Sequence, residues 1–439
     1  MILKRDKRSS RSILTTEGEE EYSRYRLFAV NDEKHPDSIE TCKRIYGSTS
    51  VYPMDIYLGI DNLPFKVTAD AALRIARIGA TASSYKEASR RFLDDFELAI
   101  SENQIREIVD YIGEIILLED IRLTENAVST FVPGNIRSAK RGRRPINGFV
   151  LYCEVDGAMF NTRPDKSSDS QTTNKKEESS WRENKLGLVF RSDKLENTGK
   201  MDEDGKPIYR IGEREYICTT QGIDTFRERL LYLLLKNGLE DASDVVFISD
   251  GAPWIRKTRE KYIPSATQIL DLFHLKENVM KFAQYIYHNK ESDYYPWWKE
   301  VCQQLEEGKW KAILQRPEIA DYCTEKETPK GIVNLYRYIW NNRDIIDYPK
   351  YKSQGYFIGS GGIESGNKTV LQERLKLSGM KWYVDSAESL LALRAKLKSN
   401  LWENYVVPLV RKSYSVWHND DNSIRQKQRQ KHRNASKNR

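Results

Sequence analysis

The order of strand and helix patterns between residues 148 and 274 restricts the fold of this chain more than any other feature of its sequence. Apolar residues alternate with other residues in GFVLYCEVDGAMF (148–160), which predicts a strand whose second face ends in Glu154 and Asp156. Further strand patterns and two helix patterns follow before residue 275. In chain order these patterns predict strands at 148–160, 185–190 and 215–220, a helix over 225–238, a strand at 244–254, a helix at 254–262 and a strand at 266–274.

A closing helix completes this order. It is predicted by IESGNKTVLQERLKL (363–377), in which Ile363, Val370 and Leu377 recur every seven residues. The chain between the fifth strand and this helix has helical patterns rich in Trp and Tyr. This order is that of the RNase H-like fold. We therefore expect an α/β protein: an RNase H-like catalytic core, with a mixed five-stranded sheet and flanking helices, plus an all-helical insertion and an N-terminal helical domain.

The same patterns predict the domain organisation. Within the N-terminal helical domain, Ser101 predicts the N-cap of a helix that follows the helix SYKEASRRFL (84–93). This pair is either a DNA-binding helix-turn-helix or an ordinary helical hairpin. The expected segments are a polar N-terminal arm or small accessory unit at 1–55, the helical domain at 56–136, a basic linker at 137–147, the first part of the core at 148–275, the helical insertion at 276–355, the closing helices at 356–405 and a basic tail at 406–439.

Basic residues gather in two segments of a chain whose net charge is +7. The tail from residue 422 to residue 439 holds seven Lys or Arg residues and no acid. Such segments suit contact with the phosphates of double-stranded DNA, although a solvated linker is the plainer interpretation of the first of them. The basic residues of that linker are Arg137, Lys140, Arg141, Arg143 and Arg144.

Other classes of protein are disfavoured by composition. The five cysteines are scattered and form no CxxC pair, so neither a disulfide framework nor a zinc module is expected. The N-terminal sequence MILKRDKRSSRS has no apolar signal region, and no window approaches the roughly 18 apolar residues of a membrane span. We therefore expect a cytoplasmic protein without a membrane partner.

Three acids carry the predicted chemistry. The first and fourth strands of the expected fold are neighbours, so Asp156 and Asp250 are expected to lie close together, facing Glu364 at the start of the closing helix. Taken singly, each acid is as well explained as a helix cap or a partner of a helix dipole. Crowded together they would repel unless cations neutralised them, and oxygen ligands favour Mg²⁺ or Mn²⁺. The sequence therefore predicts that Asp156, Asp250 and Glu364 are catalytic and hold two divalent ions for phosphodiester chemistry.

Six segments also resemble a known family, the ISKra-type insertion-sequence transposases, which are related to the ISLre and Mutator-like groups. The resemblance covers roughly residues 56 to 405 and implies a DDE enzyme with an RNase H-like core, an all-helical insertion before the final Glu, and divalent metal. It also implies that Asp156, Asp250 and Glu364 are the metal-binding triad. The segments are EVDGAMF (154–160), WRENKLGLVF (181–190), SDGAPWI (249–255), QILDLFHLKENV (268–279), GSGGIES (359–365) and RLKLSGMKW (374–382).

Supporting residues are predicted around the triad. The resemblance implies a role beside the active site for Asp271 and His274, although a lone His at a strand end is more often structural. Glu154 shares a strand face with Asp156 and is predicted to support it. Lys368 either holds a phosphate or pairs with Glu364 across one helical turn. Four further residues are predicted to contact the DNA backbone or to stack on an unpaired base: Arg374, Lys376, Lys381 and Trp382.

These features predict a transposase that binds the ends of its element, cuts them and joins them to target DNA as a homodimer or higher oligomer. One alternative is an RNase H-like nuclease or resolvase that cleaves without joining strands. Another is a transposase-derived DNA-binding repressor that retains the acids without using them.

Overall fold

The computed structural model describes residues 1–61, 63, 65–131, 148–163, 180–201, 205, 207–323 and 327–414. The chain divides into two compact units. The first unit comprises residues 1–122, 161–180 and 372–439, and the second comprises residues 123–160 and 181–371. The basic linker at 137–147 and the basic tail beyond residue 414 lie outside the described residues.

The described residues form strands in both the N-terminal and the central parts of the chain. The strands are β1 (Leu3–Leu14), β2 (Glu19–Ala29), β3 (Ser50–Val51), β4 (Val150–Thr162), β5 (Ser180–Arg191), β6 (Leu195–Met201), β7 (Pro207–Ile211), β8 (Arg214–Thr219), β9 (Asp244–Ser249) and β10 (Thr267–Leu270).

Helices occupy most of the remaining described chain. The α-helices are α1 (Ser38–Tyr46), α2 (Pro53–Tyr57), α3 (Ala69–Thr81), α4 (Tyr85–Phe96), α5 (Glu102–Thr130), α6 (Ile223–Lys236), α7 (Pro253–Tyr262), α8 (Leu272–Ile286), α9 (Glu291–Glu306), α10 (Trp310–Leu314), α11 (Pro317–Ala320), α12 (Leu335–Asn342), α13 (Tyr348–Ser353), α14 (Gly361–Gly366), α15 (Glu373–Leu375), α16 (Val384–Lys398) and α17 (Val407–Tyr414). Two segments are π-helical, Asn367–Gln372 and Trp402–Val406.

The five-stranded sheet has the order β10-β9-β4-β5-β8. It is a mixed sheet, because β4, β9 and β10 run parallel while β5 and β8 are antiparallel. The first and fourth strands of the predicted order, β4 and β9, are neighbours. One face of β4 carries Leu151, Cys153 and Val155 into a buried apolar cluster with residues of α6 and α7. The α/β class and the mixed five-stranded sheet are therefore as predicted.

Two details of the central region differ from the prediction. The fifth strand ends at Leu270, and Asp271 is the N-cap of α8, so His274 lies in the first turn of a helix and not on a strand. Between β5 and β8 the chain forms an additional hairpin of β6 and β7, which the sequence patterns did not indicate. Between β10 and α14, the described residues are helical from α8 to α13 and contain no strand.

The segment expected as a polar arm is folded. Strands β1, β2 and β3 form a three-stranded sheet, and α1 packs its Cys42 against Ala29 and Val51 in a small apolar cluster. The first residues of the chain therefore form a small folded unit. The hydrophobic periods of residues 1–29 gave no sign of it, because most of β1 is exposed on both faces.

The helical domain has the helix start that Ser101 predicts. The amide N–H of Gln104 donates to Ser101 Oγ at 3.2 Å, and the amide N–H of Ser101 donates to Gln104 Oε1 at 3.1 Å, which is a reciprocal capping box. Helix α5 buries Ile108, Ile112 and other apolar residues along its length. A DNA-binding helix-turn-helix and an ordinary helical hairpin both bury one face of the second helix, so both alternatives stay predictions. No helix in the described part of the chain combines the length and apolar character needed to cross a membrane.

Candidate metal centre

Three neighbouring parallel strands carry an aspartate at the same level of the sheet. Val155 of β4 pairs with Ser249 of β9, and Ser249 pairs with Leu270 of β10. Each of these three residues is followed directly by an aspartate. Because neighbouring strands lie about 4.8 Å apart, the three aspartates lie side by side at one level of the sheet, where β9 and β10 end and β4 continues to Thr162. They are Asp156, Asp250 and Asp271.

Asp156 is tied to the closing helical segment. Its Oδ1 accepts the amide N–H of Gly157 at 2.7 Å, and its Oδ2 accepts a hydrogen bond from Asn367 Nδ2 at 2.5 Å. Asn367 lies three residues after Glu364, so the contact brings the start of the closing segment against β4 at Asp156, six residues before that strand ends. Burial raises the pKa of Asp156, and the neighbouring charge of Asp250 raises this pKa further.

Asp250 forms a turn that the helical insertion supports. Its Oδ1 accepts the amide N–H of Ala252 at 2.9 Å, and the next residue, Gly251, has φ +84°, which favours glycine. A Cβ at Gly251 would lie 2.7 Å from Asn342 Oδ1 of α12. The hydroxyl of Tyr338, also on α12, donates to the carbonyl oxygen of Asp250 at 2.6 Å. The insertion therefore fixes the backbone that presents this carboxylate.

Asp271 is fully buried and has a donor on each oxygen. Its Oδ1 accepts the amide N–H of Phe273 at 2.8 Å, and its Oδ2 accepts hydrogen bonds from His274 Nδ1 at 2.8 Å and from Ser360 Oγ. Burial acts to raise the pKa of Asp271, but the hydrogen bonds from His274 and Ser360 outweigh it and hold that pKa below its usual value. The carboxylate is therefore ionised and holds the imidazole in one orientation.

His274 lies between this carboxylate and the other acids. Its hydrogen bond to Asp271 raises the pKa of His274 to about 9; burial opposes this shift, and the charges of Asp271, Asp156 and Asp250 add to it. With Nδ1 engaged by Asp271, only Nε2 remains for another partner. His274 is therefore a cationic neighbour of these acids.

Glu154 supports the helix that carries Glu364. Its side chain is 2% exposed, and its Oε2 accepts the amide N–H of Ile363 at 2.6 Å, with a second backbone hydrogen bond from Gly362. Burial raises the pKa of Glu154 to about 8, with further contributions from the charges of Asp271 and Glu364. Glu154 therefore fixes the first turn of α14 from within the sheet.

We expect Glu154→Ala to destabilise the protein by about 2 kcal/mol, because it leaves the amide groups of Gly362 and Ile363 without their buried acceptor. Glu154→Gln retains an acceptor oxygen and is expected to lose less than half as much. Urea unfolding measures the loss of stability of each variant, and hydrogen exchange of residues 361–366 shows whether the loss falls on α14. Equal losses of stability for the two variants would contradict the role of Glu154 as the acceptor of these two hydrogen bonds.

The described residues bring one set of ligand atoms within 4.8 Å of one another: Asp271, His274 and Glu364. This set overlaps the predicted triad only at Glu364. Asp156 and Asp250 lie near enough to affect its members, since Asp156 is among the charges that raise the pKa of Glu364, after burial and Asp271. The residues fit a divalent cation: the carboxylates of buried Asp271 and exposed Glu364 lie close together, and a cation would neutralise their charges. Carboxylate oxygens favour Mg²⁺ or Mn²⁺.

The residues predicted to contact DNA fall into three groups. Lys368, Lys376 and Lys381 are exposed, and no ion pair joins Lys368 to Glu364 in the described residues. Arg374 and Trp382 are buried, which corrects their prediction as DNA contacts. The Arg374 guanidinium stacks over the rings of Tyr85 and Trp382 at 4.5 and 4.9 Å, so neither group is free to bind DNA in this conformation. The linker residues Arg137, Lys140, Arg141, Arg143 and Arg144 lie outside the described residues.

Two residues of the cluster were not singled out by sequence. Ser360 donates to Asp271, and Asn367 donates to Asp156. The spacing of Asn367, three residues after Glu364, is the signal that could have indicated it, because residues three apart share a helix face. Ser360 lies in a glycine-rich stretch that has no pattern of its own.

Together, these observations define an α/β protein with a cluster of acids and one histidine, placed where β9 and β10 end beside the middle of β4. The chain belongs to an uncharacterised protein family, UPF0236, whose model matches residues 49–400. Among curated proteins, no match to the chain was found.

Proposed function

We propose that this chain is a DDE transposase with an RNase H-like core, which binds the ends of its insertion sequence and catalyses metal-dependent DNA cleavage and strand transfer. The observation that carries the proposal is the alignment of Asp156, Asp250 and Asp271 on three adjacent strands, with the segment bearing Glu364 tied to Asp156 through Asn367. The strand order supports an RNase H-like core, and the motif resemblance to ISKra-type transposases supports the reaction.

Some of these side chains are proposed cation ligands, and others hold neighbouring side chains in position. Asp156, Asp250 and Glu364 are the proposed ligands, with Asp271 and His274 completing the cluster. Mg²⁺ or Mn²⁺ bound there supplies activation of water or a 3′-hydroxyl and neutralises charge on the scissile phosphate. Asp271 fixes the tautomer and direction of His274, whose free Nε2 is available to a phosphate oxygen or a cation.

The distribution of charge along the chain indicates the proposed binding partner. The net charge of +7 and the basic runs at 137–144 and 422–439 favour double-stranded DNA, with the phosphates supplying most of the affinity. Two DNA ends must be handled together, so we propose a homodimer or higher oligomer on DNA.

The test uses the purified full-length chain and linear DNA that carries the sequences flanking its coding region. We expect cleavage at the element ends with Mg²⁺ or Mn²⁺, none with EDTA, and joined products when target plasmid is added. Cleavage without joined products would indicate the nuclease or resolvase alternative. Binding with no cleavage under any metal condition would indicate the repressor alternative and overturn the proposal.

A further inference from the structure

Strands β1 and β2 form a long antiparallel ribbon, and most residues of β1 are exposed. Residues 4–10 of β1 are exposed without interruption, on both faces of the strand. β1 is also the edge of its sheet, in the order β1-β2-β3. The ribbon lies before residue 49, where the family match begins, so it is not explained by the family.

The basic residues of the ribbon fall into two classes, those with an acidic partner and those without one. Arg26 belongs to the first class, since its Nη1 lies 3.8 Å from Asp6 Oδ2. Arg11 and Arg24 both bind the carboxylate of Asp55, which is buried beside them on α2. The second class has no acidic partner within 4.0 Å among the described residues, and its members are exposed at one end of β1. They are Lys4, Arg5, Lys7 and Arg8.

Two of these four side chains are held in place by β2. The Arg5 guanidinium lies 3.5 Å from the centre of the Tyr25 ring, and Arg8 Nη2 donates to Ser23 Oγ at 2.8 Å. The register shifts between Arg5 and Arg8, so a bulge redirects the side chains at this point. The acids Glu19, Glu20 and Glu21 pair with the opposite end of β1, at Leu14, Ile13 and Ser12. The ribbon is therefore polarised, with its unpaired positive charge at one end.

We propose that the exposed edge strand β1 is a duplex DNA-binding element that contacts phosphates of the DNA backbone through Lys4, Arg5, Lys7 and Arg8. Beside Lys4 and Arg5 the partner strand β2 also pairs with β3, so β1 offers DNA the outer edge of a three-stranded sheet. The unbroken exposure of residues 4–10 leaves their side chains accessible to backbone phosphates. The choice of duplex DNA rests on the proposed function.

Basic residues on an edge strand have a second explanation, since they also prevent edge-to-edge association of sheets. The two explanations differ in a measurable way. A protective role predicts aggregation when the charges are removed and no change in DNA affinity, whereas a DNA-binding role predicts weaker binding with a smaller salt dependence.

The test measures anisotropy of a labelled 30-base-pair duplex in EDTA, between roughly 50 and 200 mM salt. The variant replaces all four residues: Lys4→Gln, Arg5→Gln, Lys7→Gln and Arg8→Gln. We expect its affinity to fall roughly 100-fold and the slope of log K against log salt to shrink by about 3 to 4, close to 0.9 per lost phosphate contact. The matched control removes four exposed lysines of the second unit: Lys257→Gln, Lys261→Gln, Lys311→Gln and Lys330→Gln.

The control has the same net charge as the variant, and we expect its affinity to change less than about threefold, because these lysines lie outside the proposed contact. Equal losses of DNA affinity for the variant and the control would mean that binding depends on net charge alone, which would overturn the inference. Unchanged binding by the ribbon variant, or tighter parent binding to single-stranded RNA or anionic vesicles, would do the same. If the fourfold variant does not fold, Lys4→Gln and Arg8→Gln singly should each remove about one unit of slope.

This assay involves no cleavage, so the two proposals fail separately. A parent protein that never cleaves DNA but shows ribbon-dependent binding would contradict the transposase proposal alone. A ribbon variant that binds and cleaves like the parent would contradict the ribbon inference alone.

Discussion

Asp250→Asn is expected to reduce metal-dependent DNA cleavage by at least about a thousandfold while leaving duplex binding unchanged. The asparagine keeps the Oδ1 that accepts the amide N–H of Ala252, so the turn at the end of β9 is retained. The substitution removes one negative charge from the level of the sheet at which the three aspartates lie side by side. Rates are measured with purified protein, Mn²⁺ and a labelled DNA substrate.

The same variant makes a second, independent measurement possible. Divalent cation at 100 times its Kd should stabilise the parent by about 2.7 kcal/mol, and Asp250→Asn should lose most of this increment. In EDTA the variant should be at least as stable as the parent, because removing one of several crowded like charges relieves repulsion. Thermal unfolding with and without Mn²⁺ measures both effects.

The matched control is Glu277→Gln. Glu277 is an exposed acid on α8 that is near enough to raise the pKa of Glu364, yet it does not belong to the Asp271, His274 and Glu364 set. We expect this variant to cleave DNA and to respond to Mn²⁺ like the parent. An Asp250→Asn protein that cleaves at the parental rate would contradict the assigned site, and an equally inactive Glu277→Gln protein would show that the assay reports only local charge.

The sheet could be predicted because its strands are buried on at least one face. Alternation in GFVLYCEVDGAMF and the apolar run DVVFIS are direct consequences of that burial. The pairing of β4 with β9 then followed from the strand order, and with it the proximity of Asp156 and Asp250. The boundary after β10 was harder, since LDLFH alternates as a strand does. In the structure, the amide of Phe273 donates to the Asp271 side chain and the amide of Leu275 donates to the Asp271 carbonyl, which marks the start of a helix.

The remaining differences between prediction and structure arise where contacts of polar side chains, and not buried apolar residues, determine the structure. Such contacts leave no hydrophobic periodicity in the sequence. β1 has almost no buried residue, so its pairing with β2 left no pattern in the sequence. Arg374 is 1% exposed because its guanidinium stacks over two aromatic rings. Nothing in the neighbouring sequence distinguishes it from the exposed Lys376. A basic residue near a predicted site is therefore weak evidence of a nucleic-acid contact.

Lys396→Met is expected to destabilise the first unit by about 3 to 5 kcal/mol. Lys396 and Asp120 are both buried, and Lys396 Nζ lies 2.8 Å from Asp120 Oδ1. The same carboxylate oxygen accepts a hydrogen bond from the Tyr405 hydroxyl at 2.8 Å. Removal of the ammonium leaves the carboxylate of Asp120 buried with only this neutral donor. An uncompensated buried charge costs more than the packing that methionine retains.

The double variant Lys396→Met with Asp120→Asn separates this cause from a packing defect. The asparagine removes the unpaired charge but keeps an acceptor oxygen for Tyr405, so we expect at least half of the lost stability to return. Because the chain contains two compact units, hydrogen exchange of peptides from α16 and from residues 102–122 of α5 reports the first unit more directly than one global unfolding curve. If the single variant loses less than about 1 kcal/mol, or if the second substitution restores nothing, the buried charge is not what the lysine neutralises.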